Sequence, residues 1–137
     1  MREHLILRVI AKFLIPFILL FGLYTQLHGD FGPGGGFQAG VIFASAFILY
    51  ALVFDVEIAR KVAPISAVLI FVSLGLLIYA GTGLGAMIGG GNYLEYGVFG
   101  HDPAHGNHLG IFLIELGVGI TVAAAVVTIF FTFAGRR

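Results

Sequence analysis

Glu115 stands in an apolar stretch, Leu109–Ala134, that holds no other Asp, Glu, Lys or Arg. A carboxylate in such a setting is costly, so it faces a bundle interior or a cavity, finds partners, and is by default a candidate for ion or proton handling. His108 lies seven residues upstream, almost two helical turns, and therefore shares a face with it. With the span beginning near His108, the carboxylate sits about 10 Å inward at roughly 1.5 Å per residue. A proton or small cation could pass between an outer mouth at His108 and Glu115. The alternative is a protonated Glu115 hydrogen-bonded to a neighbouring helix as a polar clasp.

A second concentration of unusual residues is "HGDFGPGGGFQAG", His28 to Gly40. His28 and Asp30 put a base and an acid at its mouth and join the ion-path candidates. The glycines do not make a phosphate cradle, because no Lys and Ser/Thr follow the last glycine and no strand precedes the first. They suit a tight entry into an apolar helix: Pro33 fixes one torsion, while Gly34, Gly35 and Gly36 allow torsions and contacts that a side chain would block. The loop "HDPAHGNHLG" brings His101, His105 and His108 near one another, but in no recognisable metal-ligand pattern. Neither metal nor cofactor is expected. Asn107 reads as the N-cap of the last helix, and Asp102-Pro103 as a turn start.

The elements that position these residues follow from composition. The chain has 137 residues, 59% of them hydrophobic and 10% charged, with a mean hydropathy of +1.05. A span needs roughly 20 apolar residues. The sequence supplies four such windows, at about 9–27, 36–54, 63–88 and 109–134, which predicts an all-α integral membrane protein with four transmembrane helices. The spans and short connectors use up residues 1–137 as a single domain with no room for a soluble catalytic unit, so no enzyme is expected. The start, Met1 to Leu27, has the basic and apolar look of a signal peptide, but no small-x-small cleavage site follows, and it is read as the first span.

All seven Lys and Arg fall on one face under this count: Arg2, Arg8 and Lys12, then Arg60 and Lys61, then Arg136 and Arg137. Basic residues are retained on the cytoplasmic side, which predicts both termini there and the two glycine-rich loops outside. The charges thus report topology and give no reason to expect nucleic-acid binding. Tyr24, Tyr93 and Tyr96 suit the membrane interfaces. Cysteine is absent, which excludes disulfides and thiolate metal sites.

Small residues recur at spacing four: Gly36, Gly40 and Ala44; Gly81, Gly85 and Gly89; and, with Glu115, Gly119 and Ala123. Such stripes let helices approach closely. Three of them are more than a lone four-helix bundle obviously needs, which predicts partner subunits; in the alternative, all three point inward. The triplet Gly89–Gly91 is expected to unwind the third span. No ionisable series crosses the roughly 30 Å core, since Lys12 lies near the opposite face from Glu115. The chain is therefore not expected to be a complete transporter.

"YTQLHGDFGPGGGFQAGVIFASAFILYALVF" (Tyr24–Phe54) resembles the signature of the B subunit of the Mrp (Mnh) multisubunit Na⁺/H⁺ antiporters, and "HLGIFLIELGVGITV" (His108–Val122) is similar to that family's last span. The resemblance implies an accessory subunit in the cell membrane. Its partners would be other antiporter subunits and the lipid bilayer, and the transported species Na⁺ and H⁺. His28, Pro33, Gly34, Gly35, Gly36, Phe37 and Gly40 match the family motif, and Glu115 its acidic position. Similar modules occur in membrane-bound hydrogenases, and a purely structural subunit is the other function left open.

Overall fold

The structure is a computed structural model that describes residues 4–27, 35–93, 95, 97, 100 and 103–135. The described residues form five helices and no strand: α1 (Leu5–Leu27), α2 (Gly36–Phe54), α3 (Val56–Val62), α4 (Ile65–Ile88) and α5 (Pro103–Ala134). All but the short α3 are long and apolar enough to cross a membrane.

α1 begins at Leu5, four residues before the expected span, and so takes in both Arg8 and Lys12. Their charges are accommodated over one aromatic ring: the Arg8 guanidinium lies 5.4 Å and the Lys12 ammonium 5.5 Å from the centroid of Phe54, at the end of α2. Cation–π contact and apolar stems make this an acceptable edge of a span. Pro16 lies inside α1 without ending it.

The turn between the second and third spans holds the unexpected α3. Asp55 caps it, its Oδ1 accepting from the Glu57 N–H at 3.3 Å, and Arg60 and Lys61 occupy its last turn. Acid at the start and base at the end both suit the helix dipole. Asp55 takes φ 105°, a conformation L-residues rarely adopt, so this corner is locally strained. Pro64 then disfavours helix at the residue before it, which moves the start of α4 to Ile65.

Arg60 ties this corner to the far end of the chain. Its Nη2 donates to the Phe131 carbonyl at 2.9 Å, and its guanidinium lies 5.7 Å from the Phe131 ring centroid. The Phe131 carbonyl also accepts from the Gly135 N–H at 2.9 Å, so Arg60 adds a second, charged donor at a helix end where the dipole favours a cation. Arg8, Lys12, Arg60 and Lys61 therefore share one end of the molecule. Arg60→Ala is expected to lower stability by about 1–2 kcal/mol. Glu57→Ala should cost well under 1 kcal/mol, because its ion pair with Arg60 is exposed and 3.7 Å long. Unfolding in detergent measures both, and equal losses would contradict the assignment.

The spanning helices lie in a row, α1–α2–α5–α4. α5 packs extensively on both α2 and α4, α1 packs mainly on α2, and its contact with α5 is slight. The core is built of small side chains, with Ala44, Ala51, Ala59 and Ala124 buried beside Val68, Val127 and Phe131. In lipid, where apolar contact alone does not draw helices together, such close packing is what holds them. Thr25, Thr82, Thr121 and Thr128 bond back to the carbonyl four residues earlier, so each of these four hydroxyls is met within its own helix. α1 and α4 flank the row and leave most of their large apolar side chains exposed.

α4 departs from the expected stripe. Gly81 has nothing within 4 Å, and Gly89 is also exposed. Contact with α5 runs instead through Gly75, where a Cβ would meet the Gly117 carbonyl at 2.7 Å, while the Tyr93 ring covers Gly83. Spacing four identified a small-residue face without revealing that α5 lies on another. The helix stops at Ile88 as the glycine triplet implied, with Gly91 N–H bonded to Ala86 O and Gly90 at φ 93°.

Candidate ion-handling site

The site grows from the entry of α2. Gly35 precedes the helix at φ 141°, ψ −173°, a region open in practice to glycine alone. This conformation brings Gly36 against α5, so that a Cβ on Gly36 would strike the Glu115 carbonyl. One turn on, a Cβ on Gly40 would lie 2.8 Å from both Gly119 O and Val122 Cβ. Ala44, the next in the stripe, is fully buried. The Gly36–Gly40–Ala44 face is thus a contact inside this chain, between α2 and α5. Phe37 is exposed and does not share it.

The same approach places the Glu115 side chain. Its Oε1 and the Gln38 Oε1 each lie 3.4 Å from where a Gly35 Cβ would be. The half-buried carboxylate therefore sits beside the positively polarised start of α2, the kind of environment that stabilises an anion. Gln26 from α1 completes the junction. It is 7% exposed, its Oε1 is 2.7 Å from the Cβ position of Gly119, and its buried Nε2 has no hydrogen-bond partner. Polar groups from three helices converge where the surrounding sequence is apolar.

Gln26 and Gln38 escaped the sequence reading, which weighed charged and glycine residues. The usable signal was an amide inside each apolar stretch. His108 is exposed, and its spacing keeps it on the Glu115 face of one continuous helix. That helix starts earlier than expected: Asn107 is not its N-cap but lies in its second turn. Pro103 supplies the first position, where its missing N–H costs nothing and its torsion is already helical. Glu115 is consequently about 18 Å along α5 from its first residue. His28, Asp30, Pro33, Gly34, Tyr96, His101 and Asp102 lie outside the described residues, as does the His105 side chain.

A family described as "Domain related to MnhB subunit of Na+/H+ antiporter" matches residues 6–128, an interval that holds the whole junction. The chain belongs to the MnhB family. Similar MnhB-type proteins match from end to end. The chain is 36% identical to the protein named "Putative antiporter subunit mnhB2" of Staphylococcus haemolyticus, over 100% of this chain and 99% of that one. Identically named proteins of Staphylococcus epidermidis and Staphylococcus aureus are 35% identical over the same shares. As a member of a family of antiporter subunits, the chain is a multi-pass membrane component of a multisubunit complex.

Proposed function

We propose that this MnhB-family chain is an accessory subunit of a Na⁺/H⁺ antiporter in the cell membrane, with both termini cytoplasmic and Glu115 on the ion path. The supporting observation is the carboxylate held within an apolar span, against the start of α2 and beside Gln38. A site for exchanging a proton and a cation needs a group whose charge is costly in hydrocarbon yet tolerated by its neighbours. Glu115 meets both conditions. The chain carries only part of a route. The described basic residues gather at the opposite end, and the remaining steps fall to other subunits. No catalysis and no cofactor are assigned to it.

The same contacts favour a second reading, in which Glu115 clasps α5 to α2 and the subunit serves assembly alone. Reconstitution tests the subunit assignment. Vesicles holding the lone chain should show no Na⁺-dependent proton movement, and the assembled complex should lose that movement when this chain is omitted. Robust exchange by the chain alone, or full exchange without it, would overturn the proposal.

Orientation is tested separately. His4→Cys and Gly100→Cys, introduced singly, should react with impermeant thiol reagents from opposite sides of the membrane, position 4 from the cytoplasmic side. Labelling of both from one side would refute the topology.

A further inference from the structure

Two points on the contact between α2 and α5 are each flanked by a pair of oxygens. Where a Cβ would stand on Gly35, Gln38 Oε1 and Glu115 Oε1 both lie at 3.4 Å. Where one would stand on Gly119, Gln26 Oε1 lies at 2.7 Å and the Gly36 carbonyl oxygen at 3.3 Å. Gly119 follows Glu115 by one turn on the same face of α5, so the second point is the next step along the span. Packing does not account for Gln26. It is 7% exposed, and its Nε2 is buried with no hydrogen-bond partner among the described residues. A buried amide left unpaired is costly, and an apolar side chain of the same size would carry no such cost.

We propose that Gln26 is a cation ligand of the Glu115 site, its Oε1 and the Gly36 carbonyl receiving the transported Na⁺ one turn beyond the carboxylate. This rests on the reading of Glu115 as part of the ion path. A small cation leaves water only where oxygens replace its hydration shell, and a lone carboxylate replaces little of it. Gln26 and Gly36 supply oxygens without adding a second charge. The Gly36 carbonyl has two lone pairs, and its helical bond uses one. Backbone carbonyls at the broken ends of spanning helices serve Na⁺ in this way. The single negative charge is then neutralised either by a proton on Glu115 or by Na⁺ among these oxygens, and one leaves as the other arrives. That competition is what exchange at one site requires.

The test is Na⁺-dependent proton flux in vesicles of the assembled complex, measured across Na⁺ concentrations. Gln26→Leu should raise the half-saturating Na⁺ concentration about tenfold or more, the worth of one polar contact to a charged group, and by a larger factor than it lowers maximal flux. Assembly should be kept, because Leu removes the unpaired amide and adds no bulk. Gly119→Ala should raise the half-saturating concentration as well, since its methyl would stand between the two oxygens and the nearest atom it meets is the end of a side chain. If one variant failed to assemble, the other would decide. An unmoved half-saturating concentration in an assembled variant would overturn the proposal, and so would loss of assembly in both, which would make Gln26 part of a packing joint. Failure of the underlying reading looks different: Glu115→Gln would then leave flux intact. Failure of this inference alone leaves Glu115→Gln damaging and the Na⁺ dependence of the Gln26 and Gly119 variants at the parent's value.

Discussion

Gly40→Leu is expected to destabilise the isolated chain by about 3 kcal/mol or more, the upper range for forcing extra carbons into a packed site. The first added carbon already meets Gly119 O and Val122 at 2.8 Å, and a backbone carbonyl in a helix cannot move aside as a side-chain tip can. Insertion itself should survive, because Leu is well tolerated in lipid. What fails is the seating of α2 on α5. Since Gly36 and Glu115 lie one turn away in the same contact, the polar junction should loosen with it. Gly81→Leu is the matched control: the same substitution at a glycine with nothing within 4 Å should change stability by less than about 0.5 kcal/mol. Thermal unfolding of the purified chain in detergent measures both. If Gly40→Leu left the lone chain unchanged and broke only the multisubunit complex, the stripe would face a partner instead.

That pair of glycines also shows which parts of the molecule the sequence made legible. The existence of four spans was plain, because hydrocarbon demands long apolar stretches and the chain supplies them. Glu115 was equally plain, as a charge where charge is costly. The direction of each helical face was hidden. In water, an apolar side chain marks the buried face of a helix; in lipid, side chains facing the bilayer and side chains facing a neighbour are alike apolar, so the periodic signal vanishes. Gly40 and Gly81 look equivalent in sequence for this reason, though one is buried against α5 and the other is open. The row order α1–α2–α5–α4 was hidden by the same degeneracy. α3 and the early start of α5 were missed for a different reason: they lie at polar edges, where capping by Asp55 and Pro103 decides the boundary and hydropathy is silent. Gln26 stood in the sequence as an amide in an apolar stretch, but its place in the junction became visible only through packing, since nothing in the run of α1 says which of its faces meets Gly119.

Glu115→Gln should reduce Na⁺-dependent proton flux about tenfold or more in vesicles of the assembled complex, normalised to the amount of complex present. The magnitude follows from losing a group that must change its charge, a role an amide cannot fill, when one positioned acid–base group is typically worth about 10²–10⁴ in rate. The substitution nearly preserves shape and can still hydrogen-bond at the start of α2, so assembly should be kept. Glu115→Asp keeps the charge on a shorter arm and should retain part of the flux. Glu115→Ala should do no worse than Gln in transport, but it also removes whatever the side chain contributes to the junction, so its assembled fraction should fall. The order Asp above Gln in flux, with Gln and the parent equal in assembly, separates ion handling from clasping. A clasp depends on hydrogen bonding at the α2 entry and is largely satisfied by Gln, whose flux per assembled complex would then equal the parent's. That result would remove Glu115 from the ion path and leave its contact with Gly35 and Gly36 as a structural joint between α5 and α2.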